Sequence, residues 1–161
     1  MADGDISLLS RRLSDNGEAN ATARLTLDQR SRSRQRIRLD DGREAGVLLP
    51  RGEVLRHGHV LGSEDGLTVR ILAASERLSC AESDDPLLLA RACYHLGNRH
   101  VALQIEPGRL CWLHDHVLDD MVRGLGLVVS TLEAPFEPEP GAYGGGHVQE
   151  NVHAHGAHGH R

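Results

Sequence analysis

Four of the eleven histidines fall in one stretch, Tyr94 to Asp120, which reads YHLGNRHVALQIEPGRLCWLHDHVLDD. They stand at the ends of hydrophobic runs, where an imidazole is free to bind something. Neutral imidazole is a borderline ligand suited to nickel, copper and zinc. No G-x-S-x-G and no Cys-His constellation is present, so the chemistry indicated is metal handling without catalysis.

The spacings decide which histidines can cooperate. His95 and His100 are five apart. A continuous helix would turn them about 140° from one another, so they cannot share an ion as an i, i+4 pair does. Gly97-Asn98 predicts a helix stop, with Gly97 at the left-handed cap position. His100 then opens a strand-like run, HVALQI. His114 and His116 are two apart and face one side if extended. Asp115 is placed to cap a helix marked by Val117, Leu118, Met121, Val122 and Leu125. A helix N-terminus disfavours imidazolium, which keeps these rings available for metal.

The elements that must position these residues alternate between α and β from Glu76 onward. ERLSCAES predicts a strand, and Ser83 or Asp84 a cap for a helix with Pro86 in its first turn. Leu88, Leu89, Ala92, Cys93 and Leu96 give that helix its apolar stripe. VALQI and RLCWL are expected as strands around Glu106-Pro107-Gly108, and LVVSTLEA as the last. Glu106 is the nearest glutamate to His100 and reads as a turn residue. The order βαββαβ is ferredoxin-like, two helices on one face of a four-stranded sheet.

The first half reads as β structure without a long helical period. Asp41-Gly42 and Asp65-Gly66 each predict a turn between two strands, and the half ends near Ala74. Residues up to about Asn20 are a polar lead-in or a first strand. The expected organisation is α+β: a small β domain over 1–75, a ferredoxin-like domain over 76–136, and a flexible tail over 137–161. Within the β domain, Arg30, Arg32, Arg34, Arg36 and Arg38 recur at every second position. An extended segment lines them up on one face, as a solvated sheet edge or as a docking surface for an acidic partner. His57-Gly58-His59 reads as a surface turn.

Composition excludes several classes. The net charge is −5, and no aromatics interleave with the arginines, so nucleic acid is not an expected partner. The aromatics are one Trp, one Phe and two Tyr, which requires an aliphatic core. Cys80, Cys93 and Cys111 are odd in number and lack C-x-x-C spacing, so neither a disulfide framework nor a thiolate zinc site is expected. No stretch is suited to spanning a membrane and the start has no apolar signal region, so a cytoplasmic protein is expected. The tail closes with the pairs His153/His155 and His158/His160 among Gly and Ala, a composition for weak metal binding.

Several of these motifs occur together in one family. YHLGNRHVALQI, HDHVLDDM, the P-F-E-P-E-x-G-A-Y segment, LPRGEVLRHGHVL and the terminal histidines resemble the UreE family of urease accessory proteins, which are nickel metallochaperones. The resemblance covers almost the whole chain. It implies a homodimer that carries Ni2+ to the maturing urease active site, with Zn2+ or Cu2+ binding in vitro. It implies a β-rich first domain associated with protein binding and a ferredoxin-like second. The histidine of GNRH, His100 here, would be the central ligand, and His114 and His116 additional metal-binding residues. The implied partner is the urease accessory GTPase UreG. Two other classes remain open from the residues alone: a nickel or zinc buffering protein without a specific acceptor, and an enzyme with a histidine-bound metal.

Overall fold

The computed structural model describes residues 6–141. The expected tail over 137–161 and its histidines, His153, His155, His158 and His160, lie outside that range but for the tail's first five residues.

Eight elements form the first half: β1 (Leu8–Leu9), β2 (Arg11–Leu13), β3 (Ala21–Leu25), α1 (Leu27–Arg30), β4 (Arg34–Arg38), β5 (Glu44–Leu48), β6 (Val60–Gly62) and β7 (Thr68–Ala73). They build two sheets, ordered β1-β5-β4 and β2-β6-β7-β3. Alternation explains their pairing. Ile37 on β4, Ala45 and Val47 on β5, and Val69 and Ile71 on β7 point into one aliphatic core that both sheets share. Both Asp-Gly turns are where the sequence puts them, with Gly42 at φ 91° and Gly66 at φ 93°. These are backbone conformations that a side chain disfavours.

The arginine alternation is only partly a stripe. Arg34, Arg36 and Arg38 are exposed on β4, but Arg30 is fully buried at the end of α1. A capping box at Thr26 and Gln29 winds this segment into a short helix, which breaks the period of two. The Arg30 guanidinium instead joins the two halves of the chain. It donates to the Leu25 and Leu55 carbonyls at 3.2 and 3.3 Å, to the Phe136 carbonyl, and to Glu137 Oε1 at 2.5 Å.

The second half contains β8 (Ser75–Glu82), α2 (Pro86–Asn98), β9 (Gln104–Glu106), β10 (Arg109–Leu113), α3 (His116–Gly124) and β11 (Val129–Pro135). Its sheet is antiparallel with order β11-β8-β10-β9, the ferredoxin-like arrangement. The protein is therefore α+β, a β module followed by a ferredoxin-like one. Apolar residues of α2 and α3 cover one face of the sheet, around Trp112. The other face holds Leu78, Cys80, Cys111 and Phe136, and Leu27 of α1 packs on it.

Three local expectations are corrected. Asp85 caps α2, with Pro86 at its first position, in place of Ser83 or Asp84. The run after His100 is not a strand until Gln104. Cys80 and Cys111, read as unpaired, lie directly opposite on β8 and β10 with Cα atoms 4.2 Å apart and form a disulfide. Strand register brings them together across 31 residues, and spacing along the chain does not carry that information.

Candidate metal centre

Helix α2 stops later than its glycine suggests. Gly97 lies inside the helix and Arg99 is its C-cap, which places His100 at the next position with φ 58°. The His100 N–H bonds the Gly97 carbonyl at 2.9 Å and the Val101 N–H bonds the Leu96 carbonyl at 3.3 Å. This is a Schellman closure, with Val101 and Leu96 supplying its hydrophobic contact. Among the described residues, His100 is the one non-glycine with positive φ. Its side chain is exposed.

The second pair forms where β10 hands over to α3. Asp115 caps α3 as expected, its Oδ1 accepting from Val117 N–H at 2.8 Å and Leu118 N–H at 3.2 Å. Those two bonds, the one from Leu118 foremost, hold its carboxyl below the ordinary carboxylate range. His116 opens the helix with an exposed side chain. His114 is different. It is half-buried, and its Nδ1 lies 2.9 Å from Ser79 Oγ and 3.2 Å from Asp119 Oδ2. A carboxylate only accepts, so in the neutral imidazole this contact favours the tautomer with the proton on Nδ1 and the lone pair on Nε2. Asp119 is itself buried, and its Oδ1 accepts from Trp112 Nε1 at 3.1 Å. A carboxylate behind a histidine in this way fixes tautomer and ring orientation in metal sites.

Topology brings the three histidines to one end of the ferredoxin-like layer. β10 runs antiparallel to β8 and ends beside its start, with Leu113 opposite Leu78. Helix α2 returns from the far end of β8, so its C-terminus and His100 come back to that same end, as do His114 and the start of α3. Among the described residues, however, no three His, Cys, Asp or Glu side chains gather around a point where one chain alone holds an ion.

Comparison with known proteins follows this division. The model of the UreE urease accessory protein N-terminal domain matches residues 9–74, and that of the UreE C-terminal domain matches residues 76–161. A urease accessory protein UreE from Alkalilimnicola ehrlichii is 60% identical over 137 residues, 85% of this chain and 84% of the relative. One from Pseudomonas putida is 58% identical over 139 residues, 84% of each chain. One from Proteus mirabilis is 60% identical over 121 residues, 75% of each. The chain belongs to the UreE family of urease accessory proteins.

Among the described residues of this UreE-family chain, the other histidines and the free cysteine have different surroundings. His57 Nδ1 accepts the Ala73 N–H at 3.2 Å, and His59 Nδ1 accepts the Arg56 N–H at 3.0 Å with the Arg12 guanidinium 2.8 Å away. Burial, and then the Arg12 charge, hold the His59 imidazole below its ordinary pKa. His95 is exposed on α2, edge-on to Tyr94 with ring centroids 5.3 Å apart. Cys93 lies in the apolar stripe of α2, where burial pushes its thiol up and away from thiolate ligation.

Sequence reasoning missed Asp119. An acid in the first turn of a helix ordinarily complements the helix dipole at the surface. The signal that marks it out is its place one turn before Val122, on the buried face of α3.

Proposed function

We propose that this UreE-family protein is a cytoplasmic nickel metallochaperone without catalytic activity of its own. It binds Ni2+ as cargo through histidine and delivers it for assembly of the urease active site. The observation that carries this reading is the backbone at His100. A left-handed histidine costs about 1–2 kcal/mol against glycine, so a helix end that keeps one is trading stability for an exposed imidazole.

The cargo site in this reading belongs to a homodimer. One imidazole is a weak clamp, and no complete ligand set forms among the described residues of one chain. A twofold axis beside the C-terminus of α2 sets His100 next to its own copy, and both can hold one ion. His114, through its free Nε2, and His116 take further metal at the same end of the layer. The tail histidines, His153, His155, His158 and His160, add weak sites. Such imidazoles also accept Zn2+ or Cu2+ in vitro, since intrinsic affinity does not single out nickel.

The acceptor in this reading is the GTPase UreG, within the urease maturation assembly. Pull-down of purified UreG by this protein, with and without Ni2+, tests delivery against simple buffering. A chaperone gives nickel-dependent capture that is lost in His100→Ala. Capture of UreG at no nickel concentration, with nickel still bound, would leave only a buffering protein.

A further inference from the structure

We propose that the outer edge of β4 takes up an extended acidic protein segment as an added strand. Among the described residues, β4 is the last strand of its sheet and pairs only with β5. The register shows which of its backbone groups are free. Leu39 N–H bonds the Arg43 carbonyl at 2.8 Å and Leu49 N–H bonds the Ser33 carbonyl at 2.8 Å, so the odd-numbered residues of this strand face β5. The N–H and C=O groups of Arg34, Arg36 and Arg38 therefore point outward, and among the described residues none of them has a hydrogen-bond partner.

The side chains of the same three residues lie exposed on one face of the sheet, while Ile37 between them turns into the core. Among the described residues, Arg36 alone of the three has a carboxylate within salt-bridge distance, Glu44 at 3.5 Å. Arg34 and Arg38 have no acidic partner within salt-bridge distance among the described residues. Over Arg34–Arg38 a free edge thus coincides with three exposed cations, two of them unpaired among the described residues, while beyond them the outward Asp40 N–H is taken by the Thr22 carbonyl at 2.8 Å.

That coincidence selects the partner. An added strand pairs with the outward backbone groups, and its every second side chain lies beside an arginine. A second copy of β4 would set arginine against arginine, so self-pairing is disfavoured. Carboxylates at alternate positions are the complement. Single-stranded nucleic acid would want aromatic stacking surfaces, and β4 carries none.

The full-length protein is titrated into a fluorescein-labelled peptide GEVEVEVEG and into its isomer GEEEEVVVG, read by anisotropy. Strand addition predicts tighter binding of the alternating peptide, weakened about tenfold or more by Arg36→Glu. The same charge change on an exposed helix face, Arg91→Glu, is expected to leave it within about twofold. Circular dichroism of the Arg36→Glu protein confirms that it is folded, so lost binding is read as a lost surface. Equal binding of the two peptides, equal loss in both variants, tighter binding of oligo(dT), or no binding of the alternating peptide would each overturn the proposal.

Discussion

His100 occupies at the end of α2 the position that Gly126 occupies at the end of α3. Each follows a C-cap, Arg99 or Leu125, and each has positive φ, 58° and 101°. Each donates its N–H to the carbonyl three residues back, Gly97 or Arg123, both at 2.9 Å. The following N–H, of Val101 or Leu127, reaches Leu96 or Val122 at 3.3 and 3.4 Å. One molecule closes two helices with the same motif, one on the residue the backbone prefers and one on an imidazole.

His100→Gly is therefore expected to gain stability while losing metal binding. Removing the side chain relieves the left-handed strain, about 1–2 kcal/mol, while the flexibility of glycine in the unfolded chain takes back part of it. The metal-free variant melts at or above wild type, by up to about 2–4 °C, and its tight nickel site is gone. Differential scanning calorimetry checks the first half and nickel titration the second. A clear drop in melting temperature would show that His100 is held by contacts and not by its ligand role.

Asp119→Asn separates structure from ligation. The amide oxygen still accepts from Trp112 Nε1, but the amide nitrogen now faces His114 Nδ1 and turns it into an acceptor. The proton moves to Nε2, which then has no lone pair for metal. Binding through His114 falls about 10- to 100-fold with little change in folding. Asp119→Ala strands the buried indole N–H and costs about 1–3 kcal/mol of stability. Nickel titration and urea unfolding of both variants distinguish the two roles. Unchanged metal binding in Asp119→Asn would remove Asp119 from the site.

Much of this layout is legible in the sequence because local chemistry sets it. The Asp-Gly turns, the Asp115 cap and the βαββαβ order follow from turn residues, capping atoms and hydrophobic period. The rest depends on packing that spacing along the chain does not carry. Gly97 resembles a helix stop, but Val101 packs with Leu96 one turn later and moves the closure to His100. Arg30 continues an alternation that looks exposed, yet Glu137 and the Phe136 carbonyl wait for it more than 100 residues away. The Cys80–Cys111 bond likewise exists only once β8 and β10 are side by side, and the Asp119–His114 contact only once α3 folds back on the end of β10.

The His59 imidazole gives stability a pH dependence of known sign. Burial and Arg12 depress its folded pKa below 6.5, so the unfolded chain binds a proton that the native one refuses. The stabilisation it supports is present above about pH 6.5 and is lost as pH falls through the folded value. His59→Asn keeps an acceptor for the Arg56 N–H and Arg12 but does not titrate. Urea midpoints measured from about pH 7 to 5 fall less steeply in the variant. Parallel curves would mean that His59 contributes nothing to acid sensitivity.

A tight nickel site shared by two chains through His100 would show itself in its stoichiometry. Nickel calorimetry on a chain ending at Gly141, which omits the tail histidines, counts the ions bound. A shared site gives one tight nickel per two chains, lost in His100→Ala, with binding that strengthens the dimer by linkage. One tight nickel per chain that survives His100→Ala would contradict it.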